Sequence, residues 1–397
     1  MKKLLAFLLA LIMLISLVGC AKGSEGKKAS APPDETAPSQ TEEETPPPAA
    51  TAEAVVSEIV GTIDEDVDHF ARPAYKFVYA HYDNNLLEQQ MYDAFVDIAP
   101  VYNFELTRMS GDTDDETYVT NLQTLIDRGD VDGFIIETTN SVQNAVLSLL
   151  EESGIPYINL FTEYYDAEGR VITPTVGLPQ YQSGYDSLKY LTDNYKEYWG
   201  DVDTNEIGLI TIDFSVSPAL NERIIGIEDA FKEAFPGNEN IFYNDSFAAG
   251  QSAWFTLEGG YDPTAQTIGS HPEVKYWMVA SCLENYSQGA ARAADDLGRN
   301  DTMLITTVGH PMLEQEWDNG YDGAWKCAIA ISNYAYATPT VLGLIALCDG
   351  RATAETLWPQ FKGESDECAI WLADYAVVTK DTYRDYLNSM DEKYGPK

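Results

Sequence analysis

The chain has 397 residues, with 24 Lys and Arg against 64 Asp and Glu, a net charge of −40. So acidic a composition excludes nucleic acid as a partner, because Lys and Arg that neutralise phosphates supply most of that affinity. It equally excludes adsorption to an anionic bilayer by charge alone, so any membrane attachment needs another device.

Met1-Lys2-Lys3, an apolar run from Leu4 to Val18, and Leu17-Val18-Gly19-Cys20 open the sequence. Two lysines and about fifteen apolar residues before a small residue describe an export signal, too short for a membrane span. The residues at the cut resemble a bacterial lipobox. That resemblance implies cleavage after residue 19, lipidation of Cys20, and an extracytoplasmic protein anchored to the cell membrane by an N-terminal lipid. Removing residues 1–19 takes away two lysines and leaves 22 basic against 64 acidic residues, a net of −42. Residues 20–62 are rich in Pro, Ala, Ser, Thr and Glu and nearly free of aromatics. Such a segment cannot bury enough apolar surface to offset its ordering entropy and is expected to be a disordered tether. Its reach lies between a coil of roughly 35 Å and an extended spacer of about 120 Å.

From residue 73 onward, short apolar runs alternate with amphipathic segments. The pattern predicts strands over 75–82, 104–110, 133–138 and 157–161, with helices over 86–98, 115–128 and 141–152 between them. The rhythm then repeats. Strands are expected over 207–213, 240–246, 274–281 and 303–309, and helices over 218–235 and 285–297, with another helix between 246 and 274. Ser217 reads as the N-cap of the helix that Pro218 begins. Residues 371–386 read as a final strand and short helix. Strand–helix–strand repeats at this spacing imply right-handed crossovers and parallel sheets covered on both faces, in an α/β fold of two Rossmann-like lobes.

Binding crevices in such sheets form at the strand C-termini. The rule selects 81–85, 137–140, 161–163, 213–217, 246–251, 282–285 and 310–312. Four cysteines beyond Cys20, namely Cys282, Cys327, Cys348 and Cys368, allow two disulfides in three pairings or four free thiols.

YKFVYAHYDNNLLEQQMYDAF, DVDGFIIETTNS, GIPYINL, SVSPALNERIIGIEDAF, MVASCLENYSQGAARAADDLGRND and AVVTKDTYRDYL occur in that order over residues 73 to the C-terminus. This succession resembles the type I periplasmic-binding-protein family, in its sugar-binding branch. The resemblance implies a hinge crossed three times, near Leu178–Gln180, Ile331–Asn333 and Glu367–Leu372. The N-terminal lobe would comprise 73–179 and 333–366, and the C-terminal lobe 180–332 and 367–397. Asn85 stands where the family's first-loop Asn meets ligand, Arg223 where an Arg takes ligand hydroxyls, and Glu284 where an Asp usually accepts them. Phe161-Thr162 replaces an Asp-Arg pair, and Pro311 follows His310 where an Asp is often found. The implied pocket has fewer polar anchors and one more aromatic than a simple pentose or hexose requires. A larger glycan, a glycoside or another amphipathic small molecule fits it better.

The candidate ligand-binding residues are therefore Tyr82, Asn85, Phe161, Asp213, Arg223, Phe247, Trp254, Glu284 and His310. The aromatics among them would stack on sugar C–H faces. No GxSxG, HExxH, P-loop or GxGxxG motif is present, and the four histidines lack ligand spacing, so neither an enzyme nor a metal or cofactor site is expected. The leading expectation is a lipid-anchored solute-binding protein that delivers a sugar-like molecule to the permease of an ABC importer. The alternatives are a sensor presenting its closed form to a membrane receptor or histidine kinase, and a structural surface lipoprotein.

Overall fold

The computed structural model describes residues 67–84 and 86–397. The expected signal peptide, Cys20, the tether and Asn85 lie outside the described residues.

In the first half, β1 (Tyr75–His81), α1 (Leu86–Tyr102), β2 (Phe104–Ser110), α2 (Asp115–Arg128), β3 (Gly133–Ile136), α3 (Gln143–Ser153), β4 (Tyr157–Leu160) and β5 (Thr175–Gly177) follow in order. Asp114 caps α2 by accepting from the Thr117 N–H at 2.7 Å, and Gly129 ends it in the left-handed region. After β5 come α4 (Gln180–Trp199), β6 (Ile207–Asp213), α5 (Pro218–Ala234), β7 (Ile241–Asp245), α6 (Glu258–Ser270), β8 (Tyr276–Ser281), α7 (Glu284–Asp296), β9 (Met303–Thr307), α8 (Pro311–Asp318) and β10 (Cys327–Ala330). The chain ends with α9 (Asn333–Cys348), β11 (Ile370–Leu372), β12 (Ala376–Thr379) and α10 (Tyr383–Tyr394).

One parallel sheet has the order β11-β5-β4-β3-β1-β2, and the other β7-β6-β8-β9. Antiparallel β10–β12 borders the second sheet through single bridges from residues 325 and 329 to residues 305 and 308. Residues such as Phe77, Tyr79, Phe95 and Leu344 fill one face of the first sheet; Phe134, Tyr118 and Val146 fill the other. A separate core around Leu209, Trp277, Ile305 and Trp325 serves the second.

Three features depart from the sequence reading. The third crossing falls at residues 373–375 rather than 367–372, because Ile370–Leu372 pairs in parallel with β5 and completes the N-terminal sheet. Residues 367–397 are also not wholly of the C-terminal lobe. Helix α10 begins on that lobe, where the Tyr383 hydroxyl donates to Asp318 at 2.6 Å. It ends on the other, where Tyr394 is buried in the N-terminal core and the Thr338 hydroxyl donates to its carbonyl at 2.6 Å. Ser217 stands at the N-cap of α5, but its hydroxyl makes no cap bond there. Cys282, Cys327, Cys348 and Cys368 are all free.

Candidate functional site

Helices α4 and α5 meet backbone to backbone. A Cβ on Gly184 would stand 2.1 Å from the Arg223 carbonyl oxygen, and one on Gly226 2.1 Å from that of Tyr181. This approach sets Arg223 directly beside the first hinge crossing. Its Nε donates to Gln180 Oε1 at 2.6 Å, and its Nη1 donates to the Cys282 carbonyl at 2.9 Å. Burial disfavours the guanidinium charge, while Tyr336, Cys282 and Glu163 nearby favour it. Tyr336 and Glu163 belong to the N-terminal lobe, so Arg223 stands where the two lobes face each other.

Phe161, just past β4, packs edge-on to Tyr336 with ring centroids 4.9 Å apart. Its φ of 69° is uncommon for a bulky residue and holds the ring at the strand exit. Two residues on, Glu163 is 7% exposed, and burial pushes its carboxyl up to about 7.

At the end of β6, Asp213 is engaged within its own lobe. It accepts from the Phe214 N–H at 2.7 Å and from the Tyr243 hydroxyl at 2.9 Å. Phe247 and Trp254 stack at 5.0 Å with their planes 15° apart, and both stand edge-on to Phe214. Phe255, 4.5 Å from Phe214 and half exposed, completes an aromatic quartet on the rim.

Glu284 accepts from the Met312 N–H at 3.0 Å and also from the Leu313 N–H. Its carboxylate thus satisfies the free amides that begin α8, a placement favoured by the helix dipole. Burial raises the group to about 8. His310, immediately before α8, is 7% exposed, and burial lowers it to about 4.

On the N-terminal lobe, the Tyr82 hydroxyl donates to Asp115 at 2.7 Å, toward α2. His81 Nε2 accepts from Arg108 Nε at 2.7 Å, and its Nδ1 donates to the Asp83 carbonyl, which fixes a neutral tautomer. Below this loop the Tyr79 hydroxyl donates to Glu137, which is itself hydrogen-bonded to Glu88; burial raises both carboxyls.

The sequence-selected residues therefore fall into groups. Phe161 and Arg223 meet through Tyr336, Phe247 pairs with Trp254, and Glu284 and His310 meet at α8. Tyr82 and Asp213 direct their polar atoms into their own lobes. Tyr336 and Phe255 were not singled out, Gln180 was named only as a hinge residue, and Phe214 and Glu163 were reached only by the strand-exit rule.

A profile of the periplasmic binding protein domain matches residues 75–352. The chain belongs to that family. Its fold is the type I periplasmic binding fold, shared with solved solute-binding proteins. One, an ABC transporter solute-binding protein of Bacillus halodurans C-125 with bound myo-inositol, is 16% identical; the match covers 80% of this chain and 98% of that one, with a TM-score of 0.59. Another, from Actinobacillus succinogenes 130z with bound D-allose, is 18% identical over 79% of this chain and 100% of that one, at 0.60. The 5-methylthioribose-binding protein of Thermotoga lettingae TMO is 15% identical over 82% and 94%, at 0.59. Identities this low show the fold alone. No curated protein matches the sequence. In this periplasmic binding protein the strand ends of both parallel sheets, together with α4, α5 and α9, supply the groups described above.

Proposed function

We propose that the protein is an extracytoplasmic, lipid-anchored solute-binding protein that captures a sugar or sugar-like molecule between its lobes and delivers it to an ABC importer. The observation that carries this reading is Arg223, a C-lobe guanidinium beside Glu163 and Tyr336 of the N-lobe, with Phe161 packed on Tyr336. A fork of donors, a carboxyl acceptor and flat aromatic faces are what a polyol ring with apolar C–H faces requires. The solved relatives that bind myo-inositol, D-allose and 5-methylthioribose support the solute class. Binding from both lobes would stabilise the closed form by differential contact.

The test is a thermal-shift screen against mono- and oligosaccharides, nucleosides and related metabolites. A ligand of the native state raises the melting temperature with concentration. A flat response across sugars overturns the reading. The anchor is tested separately: Cys20→Ser should move the protein from the membrane fraction to the soluble one, and retention in the membrane overturns lipidation at Cys20.

A further inference from the structure

A cavity of about 250 Å³ lies at the hinge, between the N-lobe edge strands and the start of α5. Glu163, Tyr165, Asn140, Gln180 and Glu222 line it, together with apolar groups that include Ile370. Its size is just below the roughly 300 Å³ at which small-molecule sites begin, enough for one substituted ring or part of a larger glycan.

The charge of its wall is one-sided. Glu163 and Glu222 contribute two carboxyls, and no Lys or Arg is among the lining residues. Arg223, next in sequence to Glu222, has Nε on Gln180 and Nη1 on the Cys282 carbonyl. Glu163 is 93% buried by its 7% exposure, yet no other side chain among the described residues hydrogen-bonds its carboxyl, which bonds only with its own backbone amide. The Asn140 amide donates to the Glu163 carbonyl at 3.1 Å, and the bare Cα of Gly177 leaves room behind its Oε1, where a Cβ would stand at 3.2 Å. The side chain is thus held in place with no donor on its carboxyl but its own amide.

A buried carboxylate that no side chain hydrogen-bonds is costly even with the Arg223 guanidinium nearby, and a ligand that supplies a bonded partner recovers that cost as affinity. A neutral hydroxyl offers one donor and brings no charge of its own. An ammonium offers three donors and a full charge.

We propose that this cavity is a subsite for a primary ammonium group on the solute, held between Glu163 and Glu222, so that the protein selects amino-bearing over neutral sugars. The proposal rests on the sugar-binding reading of the cleft. Glu163 titrates among Glu222, Arg223, Tyr165 and Tyr336, and its raised carboxyl gives the event a signature. Binding an ammonium near pH 7 ionises Glu163 and releases protons, whereas binding a neutral sugar does not.

The experiment is calorimetric titration of the full chain in detergent with matched pairs differing only at C2. These are glucosamine with glucose, galactosamine with galactose, mannosamine with mannose, and the β-1,4-linked glucosamine disaccharide with cellobiose. In at least one pair the amino member should bind about tenfold or more tightly, with proton release read from the dependence on buffer ionisation heat. Glu163→Gln should bring the amino-to-neutral ratio to near one. Glu222→Gln, an exposed change with little folding risk, should narrow it too. Equal or weaker binding of every amino member overturns the inference and leaves sugar binding standing. A preference that survives both substitutions overturns the assignment to this cavity. Failure of every pair to bind overturns the inference together with the sugar reading.

Discussion

Arg223 Nε donates to Gln180 Oε1 at 2.6 Å, joining α5 to the first residue of α4 where the chain leaves the hinge. The bond depends on the close approach at Gly184 and Gly226. Arg223→Ala should weaken sugar binding roughly 10- to 100-fold, in line with about 1.5–3 kcal/mol for a hydrogen bond to a charged group. Unchanged affinity by calorimetry removes Arg223 from the site.

Gly226→Ala forces a methyl group into the Tyr181 carbonyl. Both partners are backbone, so neither can rotate away. Overpacking of this kind costs about 1–3 kcal/mol or more. A lowered denaturation midpoint with an unchanged slope is expected, and an unaltered midpoint contradicts the contact.

The buried carboxyls impose a pH dependence. Glu88 and Glu137 hydrogen-bond each other, and burial raises both above the ordinary value of 4.5. Between that value and the higher folded ones, the native state holds more protons than the unfolded chain, so their stabilising effect is lost as pH rises through neutrality. Melting temperature should fall from about pH 5 to pH 8. Glu88→Gln should flatten the slope, and an identical slope in the variant would show that the pair does not titrate there.

His310 acts in the opposite direction. Its folded value of about 4 lies below the ordinary 6.5. The unfolded chain takes up the proton first, so stability present above 6.5 is lost as pH falls toward 4, by on the order of 3 kcal/mol in full. His310→Gln should remove that acid-side loss in urea melts at pH 4.5 and 7. An equal loss in wild type and variant would sink the assignment.

Tyr394 is the N-lobe end of a helix that starts on the C-lobe, and it is 4% exposed. Tyr394→Ala should cost about 3 kcal/mol by the usual penalty for emptying an aromatic core position. It should also widen the solution distribution of interlobe distances, seen as a larger radius of gyration without ligand. A normal melt and an unchanged radius would show that α10 does not tie the lobes.

The alternation of apolar runs and amphipathic segments made both parallel sheets legible, since each crossover leaves a strand-length and a helix-length signature. The Arg-x-x-Gly spacing was legible as well, and its cause is the helix contact at Gly226. Three-residue strands such as Thr175–Gly177 and Ile370–Leu372 carry no periodicity, which misplaced the third crossing. Tyr336 was hidden because its role comes from a helix 175 residues from Phe161, brought to it only by the hinge. Glu284 illustrates a different loss: composition shows a carboxyl at a helix start but not that it serves the amides of the next helix.

The free cysteines have a practical consequence. Cys282, Cys327 and Cys368 are buried, and burial raises their thiols, Cys327 and Cys368 to about 12. Thiols so seldom ionised react slowly with maleimides. A cysteine introduced on each lobe would therefore take a dye ahead of the native ones, with half-buried Cys348 replaced as a precaution. The protein would then report its own closure by energy transfer, making it a ready scaffold for an optical sensor of its solute.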